Sequence, residues 1–138
     1  MRKLELMAYF SLATGPTESL GIIADILAVS QRNNGKDGLT GALAICDGWF
    51  FQAIEGSPSA IDGLLRRLEA DPRHTDIRVL LRQPAATRLF RERTMTSVRI
   101  TPDFGPDRLR LISECQTRPE MAVVALKSIV DALHPPSD

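Results

Sequence analysis

Two side chains in this sequence can exchange hydrogen bonds from inside strands: the phenol of Tyr9 and the carboxamide of Gln52. Gln52 lies in an otherwise apolar run, Trp49-Phe50-Phe51-Gln52-Ala53-Ile54-Glu55-Gly56. Its amide carries both a donor and an acceptor, and burying it without partners costs about 1–3 kcal/mol. A strand can be built without it, so something other than the strand requires it. Tyr9 is the only tyrosine of the chain. On its own, a strand tyrosine is ordinarily a core residue with its hydroxyl at the sheet edge. A lone mid-strand Gln52 is less easily explained away, though a backbone partner could satisfy it.

The remaining polar candidates are individually plain. Asn33 and Asn34 stand at a helix end, where such residues cap and turn. Asp71-Pro72-Arg73-His74 reads as a helix stop. Arg67, four residues before Asp71, makes at most a surface ion pair of a few tenths of a kcal/mol, in the less favourable order. No nucleophile elbow, Cys-His arrangement, zinc spacing or phosphate-cradling glycine loop is present. His74 and His134 are the only histidines, and neither accompanies an obvious nucleophile.

The elements that must position Tyr9 and Gln52 follow from periodicity. Residues 4 to 11 alternate, with Leu4, Leu6, Ala8 and Phe10 on one side and Glu5, Met7, Tyr9 and Ser11 on the other. Ala13-Thr14-Gly15-Pro16 is a turn, and Thr17 can cap a helix carrying Leu20, Ile22, Ile23, Ile26, Leu27 and Val29. Asn33-Asn34-Gly35 ends it. Leu39 to Cys46 and Trp49 to Glu55 are strands around Asp47-Gly48, a hairpin signal. Ser57-Pro58 opens a second helix with Ile61, Leu64, Leu65 and Leu68 at helical spacing, and Pro72 stops it. Ile77 to Leu81 and Met95 to Ile100 read as two further strands.

The order β-α-β-β-α-β plus one strand predicts an α+β, ferredoxin-like fold with a five-stranded mixed sheet. Right-handed crossovers place both crossover helices on one face. Residues 106 to 115 and 119 to 133 read as two more helices, whose Leu109, Leu111, Ile112, Val123, Ala125, Ile129 and Leu133 need a surface. The opposite face, carrying Leu4, Leu6 and Phe10, provides it. Tyr9 then points between the crossover helices, and Gln52, which shares a face with Phe50 and Ile54, can reach the same gap.

The totals bound the function. A chain of 138 residues is one domain large enough to bury a core. Lysine plus arginine balances aspartate plus glutamate at 17 each, which argues against a nucleic-acid or anionic-membrane surface. The N-terminus, with Glu5 early and no long apolar run, does not resemble a signal peptide, and no stretch approaches the ~20 apolar residues of a membrane span. Cys46 and Cys115 are isolated, which suits a reducing cytoplasm.

Read together, the segments resemble the BLUF family, blue-light sensors that use flavin. Tyr9-Phe10-Ser11 is similar to its Tyr-x-Ser, and Asn33-Asn34-Gly35-Lys36-Asp37-Gly38-Leu39-Thr40-Gly41 to its Asn-Asn…Ile-Thr-Gly. Asp47 to Gly56 resembles Gly-x-Phe-x-Gln-x-Leu-Glu-Gly, and Asp71-Pro72-Arg73-His74 and Arg88-Leu89-Phe90 follow at family spacing. The resemblance runs over about residues 4 to 100. It implies a noncovalently bound flavin, FAD with FMN as the alternative, between the crossover helices.

By the same resemblance, Tyr9 and Gln52 lie beside the ring, Asn34 with Asn33 fixes its pyrimidine edge, and Ile26 and Phe50 pack near it. Arg67 and Asp71 match polar positions around its other end, and Met95 matches a methionine near the glutamine. An excited flavin is a strong oxidant; a phenol supplies an electron and then a proton, and Gln52 relays the proton. One departure stands out: Arg93-Thr94-Met95 lies where the family often has a tryptophan before its methionine. Trp49 at the hairpin is not a replacement, and Ile45 replaces an aromatic common in the second strand.

These expectations describe a blue-light sensor domain over 1–101 and a helical extension over 102–138 that carries output. With only about two helices after residue 100, no output enzyme is expected in the same chain. Output would pass to a separate protein (a phosphodiesterase, a response-regulator-like protein or a transcriptional regulator) or through a homo-oligomer, in the cytoplasm. Two rivals are a flavin-free interaction module and an acylphosphatase-like enzyme. The first has no use for Tyr9, Asn34 and Gln52 together; the second lacks an arginine in Ala13-Thr14-Gly15-Pro16-Thr17.

Overall fold

The computed structural model describes residues 3–14, 38–46, 48–72, 74–91, 96–100 and 106–133. The helix expected after Thr17 lies outside the described residues, as do Ile26, Asn33, Asn34, Arg93 and Met95. Five strands are described: β1 (Glu5–Ala13), β2 (Thr40–Ile45), β3 (Trp49–Gly56), β4 (His74–Pro84) and β5 (Thr96–Arg99). Three helices accompany them among the described residues: α1 (Pro58–Ala70), α2 (Pro106–Glu114) and α3 (Pro119–Leu133).

The strands form one mixed sheet in the order β4-β1-β3-β2-β5. β1 runs antiparallel to β3 and β4, β2 antiparallel to β3, and β5 parallel to β2. This is the expected α+β ferredoxin-like sheet with an added edge strand. The β2–β3 hairpin closes through the Cys46 N–H donating to the Trp49 carbonyl at 2.9 Å. Gly48 sits at φ 86°, a left-handed conformation that costs glycine nothing. Gly41 serves a different need. A Cβ there would stand 2.2 Å from the Ala53 carbonyl oxygen, so only glycine lets β2 lie this close to β3.

Helix α1 begins and ends as its sequence dictates. Ser57 Oγ accepts from the Ala60 N–H at 3.2 Å, Pro58 fills the first turn, and Ile61, Leu64 and Leu68 are buried. The Asp71 N–H donates to the Leu68 carbonyl at 3.1 Å as the chain turns extended ahead of Pro72.

Alternation divides the core in two. On one face Leu6, Ala8, Phe10, Ala42, Ala44, Phe51 and Ala53 pack with Leu111, Cys115 and the buried residues Ala122, Val123, Ala125, Leu126, Ile129 and Val130 of α3. On the other, Met7, Tyr9, Leu43, Ile45, Phe50 and Ile54 pack under Ile61, Leu64 and Leu68 of α1. The C-terminal helices therefore cover the face carrying Leu6 and Phe10, as expected.

Two details differ from the expectation. β4 runs from His74 to Pro84 rather than over the short apolar stretch 77–81. As an edge strand it is held by backbone pairing to β1, which is indifferent to the exposed Arg78, Arg82 and Gln83. Leu109 and Leu133 do not join the core; each is 51% exposed. Leu111 and Cys115, one turn apart, define the inward face of α2, and at 100° per residue Leu109 points away from it.

Candidate functional site

Tyr9 of β1 and Gln52 of β3 are direct partners in the antiparallel ladder. Directly opposed residues project to the same side of a sheet, with Cβ atoms about 4.5–5.5 Å apart. Both are buried, Tyr9 at 1% and Gln52 at 3% exposure, so the phenol and the carboxamide lie in one layer under α1. Apart from the buried Ser11, the rest of the layer is hydrocarbon: Met7, Leu43, Ile45, Phe50 and Ile54 from the strands, Ile61, Leu64 and Leu68 from the helix. Leu43 is the β2 partner of Gln52, which places the glutamine at the centre of the sheet, flanked by Tyr9 on one side.

Burial sets the protonation of Tyr9. Removing the phenol from water pushes its pKa well above the ordinary tyrosine value, and the negative charge of Asp71 pushes the same way. Tyr9 is therefore a neutral phenol at any physiological pH. The Asp71 field favours any positive charge that develops on the ring.

Phe50, on the same face as Gln52, is buried where the sequence places it. Arg67 and Asp71 stand one turn apart at the end of α1, Arg67 in the last turn and Asp71 as the C-cap. A cleft of about 430 Å³ opens along this helix, lined by Ser57, Ser59, Ala60, Gly63, Arg66 and Arg67. Its two guanidinium groups and two hydroxyls suit an anionic group rather than an apolar one. The helix itself is tied down at its start. Arg82 of β4 donates to Glu5 at 2.8 Å and to the Pro58 carbonyl at 3.2 Å, and its Nη1 lies 2.7 Å from Asp62. At the other end Thr14 Oγ1 donates to the Pro72 carbonyl at 2.6 Å.

Two polar residues gained a place that sequence reasoning had not assigned. Ser11 is fully buried and lies two residues from Tyr9 on the same face. Its signal was the alternation 7-9-11, which already carried it to that side. Glu55 is also fully buried, at the far end of β3. Its carboxylate accepts from the backbone N–H groups of Leu89 and of Phe90, the latter at 2.9 Å, and from Thr40 Oγ1 at 3.0 Å. Arg88 Nη1 donates to Thr40 Oγ1 at 2.9 Å and to the Glu55 carbonyl at 3.2 Å. The stretch Arg88-Leu89-Phe90 is thus fastened to the end of the glutamine strand. Trp49 packs on the face turned away from Gln52, its ring centroid 5.3 Å from that of Phe10. Among the described residues no cluster of histidine, cysteine, aspartate and glutamate could hold a metal ion. No helix there is long and apolar enough to cross a membrane.

The ferredoxin-like sheet thus holds a buried phenol–amide pair beneath α1. The sequence profile of the BLUF family, sensors of blue-light using FAD, matches residues 4–96, and the chain belongs to that family. The photoactivated adenylate cyclase subunit beta of Euglena gracilis is 36% identical over 95 residues, 68% of this chain and 11% of that protein. The chain thus spans about a tenth of the curated relatives it matches. Among solved structures, BlrB, a BLUF protein in its dark state, superposes with a TM-score of 0.76 at 30% identity, covering 96% of this chain and 98% of that one. A bacterial light-regulated adenylyl cyclase superposes with a TM-score of 0.68 at 27% identity, covering 94% of this chain but 34% of the cyclase. The Klebsiella pneumoniae protein BlrP1, complexed with cyclic di-GMP, superposes at 0.63 and 26% identity over 86% of this chain and 28% of BlrP1.

The domain is accordingly a blue-light sensor domain that uses flavin. Its described residues fit that group. A flavin ring is flat and largely apolar with a polar edge of carbonyl and imine positions. The layer under α1 offers hydrocarbon walls with one phenol and one carboxamide side by side.

Proposed function

We propose that this chain senses blue light through a hydrogen-bond rearrangement of Tyr9 and Gln52 beside noncovalently bound FAD. The adjacency of Tyr9 and Gln52 across β1 and β3 carries this reading. The flavin supplies, when excited, a strong oxidant. Tyr9, held neutral by burial, would give an electron to that oxidant and then its phenolic proton to Gln52. Gln52 would take that proton at its carbonyl oxygen and release one from its amide nitrogen toward the ring, because its two ends have opposite hydrogen-bond sense. Return of the electron and a proton to Tyr9 would restore the phenol with no net oxidation, while rotation or tautomerisation of the amide would leave a new donor pattern toward the ring that outlasts the photon.

Asn33 and Asn34 would fix the pyrimidine edge, Ile26 and Phe50 would pack near the ring, Arg67 and Asp71 would face its other end, and Met95 would lie near the glutamine. FAD over FMN is favoured by the family's own cofactor and by the polar cleft beside Arg66 and Arg67, which suits a diphosphate tail. Chromatography of the released cofactor checks that choice.

Residues 1–101 act as the sensor and 102–138 as the extension that carries output to a separate protein. A phosphodiesterase, a response-regulator-like protein and a transcriptional regulator are the proposed partner classes. The superposition on BlrB over 96% of this chain supports assigning the C-terminal helices to the sensor's own fold. Self-association is supported by Leu109, Val124 and Leu133, large apolar side chains left about half exposed on the C-terminal helices. A cytoplasmic setting is supported by Cys46 and Cys115, which are both buried as free thiols. The reading is tested by the colour of the purified protein: a yellow preparation whose absorption moves red under blue light and returns in the dark supports it. A preparation that takes up no added flavin refutes it.

A further inference from the structure

We propose that the Glu55 carboxylate is the joint through which the hydrogen-bond state of Gln52 reaches the C-terminal helices; this rests on the light-sensing reading above. Gln52 and Glu55 are three residues apart on β3, about 10 Å of extended strand, and project to opposite faces. One faces the site under α1, and the other faces the helical layer.

A fully buried carboxylate persists only where its oxygens are satisfied. Here two consecutive backbone N–H groups, of Leu89 and Phe90, converge on it together with the Thr40 hydroxyl. Arg88 braces the group from outside through Thr40 and the Glu55 carbonyl. Charge-assisted bonds of this kind are about twice as strong as neutral ones. Residues 85–91 carry no helix or strand of their own; the Ala85 N–H holds one end through the Leu4 carbonyl at 2.9 Å, and the Glu55 bonds hold the other. The segment carries Phe90, 1% exposed, whose side chain belongs to the same packed cluster as Leu111 of α2, Cys115 just after it, and Ala122 and Leu126 of α3. Packed interiors transmit small displacements rather than absorb them. A shift of β3 at Gln52 therefore pulls on Leu89 and Phe90 through Glu55, and Phe90 moves against α2 and α3.

Amide hydrogen exchange on the flavin-loaded chain, in the dark and under blue light, tests the proposal with Glu55→Gln. The substitution keeps the volume of the side chain but replaces one acceptor by an NH₂ that cannot accept from Leu89 or Phe90. The expected result is a split. In the dark whichever of the Leu89 and Phe90 amides faces the new NH₂ loses its acceptor and exchanges about tenfold faster than in the native protein. The red-shifted absorption forms under light as before. The light-dependent exchange difference across residues 106–133 is lost. A purely structural role for Glu55 would not separate the spectral change from the helical one.

The proposal is overturned if the helices of the variant respond to light as the native ones do, or if the red shift itself disappears with Glu55. A native protein that shows no red shift refutes the light-sensing reading instead, and that spectrum is recorded first. If Glu55→Gln does not fold, the native protein decides. Light must then change exchange at Leu89 and Phe90 together with residues 106–133. Helices that respond while those two amides do not, or helices that do not respond at all, overturn the proposal.

Discussion

Gln52 faces Tyr9 directly across the β1–β3 ladder, and its other neighbour in the sheet is the apolar Leu43. Gln52→Leu places an apolar side chain of similar size in a hydrocarbon layer, so the fold should tolerate it, with a stability change within about 1.5 kcal/mol. Flavin should still bind, and the usual red-shifted state should be absent from the light-minus-dark difference spectrum. Its persistence would remove Gln52 from the relay.

Alkaline pH should weaken the fold in two stages. The Cys46 thiol is pushed well above its ordinary value by burial and then by the proximity of Cys115, and Tyr9 is raised by burial and then by Asp71. In each case the folded state holds its proton after the unfolded chain has lost it. The stability contributed is therefore complete below the unfolded pKa, about 8.5 for a thiol and 10 for a phenol, and declines as pH rises beyond each. Each group adds a slope of up to about 1.4 kcal/mol per pH unit. Urea midpoints at pH 7, 9.5 and 11 check this; Cys46→Ala should reduce the first stage, the remainder belonging to Cys115, whose thiol burial also raises, and Tyr9→Phe should reduce the second. Midpoints independent of pH above about 9 would contradict the burial of both groups.

Gly41→Ala should be costly although it adds one methyl group. The new Cβ would meet the Ala53 carbonyl oxygen at 2.2 Å, inside the β2–β3 ladder and one residue from Gln52. A loss of about 2–4 kcal/mol is expected, seen as a lower thermal midpoint. A variant as stable as the native protein would show that β2 can back away from β3 at no cost.

How much of this was legible beforehand depends on the element. The 2-residue period of β1, the Asp47-Gly48 turn and the capped, proline-stopped α1 are local signals, and each survived packing because nothing in the fold opposes it. The facing of Tyr9 and Gln52 was legible only in parity. Alternation said which side each pointed to, and strand register then made them neighbours. β4 was under-read because an edge strand needs no apolar pattern where backbone pairing holds it. Leu109 and Leu133 were over-read, since apolar character alone does not say which side of a helix meets the sheet. The anchoring of Leu89 and Phe90 by Glu55 joins residues more than thirty positions apart, and no local pattern encodes that. Ile26, Asn33, Asn34 and Met95 lie outside the described residues, so their roles rest on family resemblance.

The central claim, that Tyr9 is the donor that starts the rearrangement beside Gln52, is tested most directly by Tyr9→Phe in the flavin-loaded protein. The substitution removes one hydroxyl from a fully buried ring and leaves the apolar layer intact. Light-minus-dark absorption should show a red-shifted, dark-reversible state in the native protein and none in Tyr9→Phe, with flavin bound equally in both. A red-shifted state of native amplitude in Tyr9→Phe would contradict it.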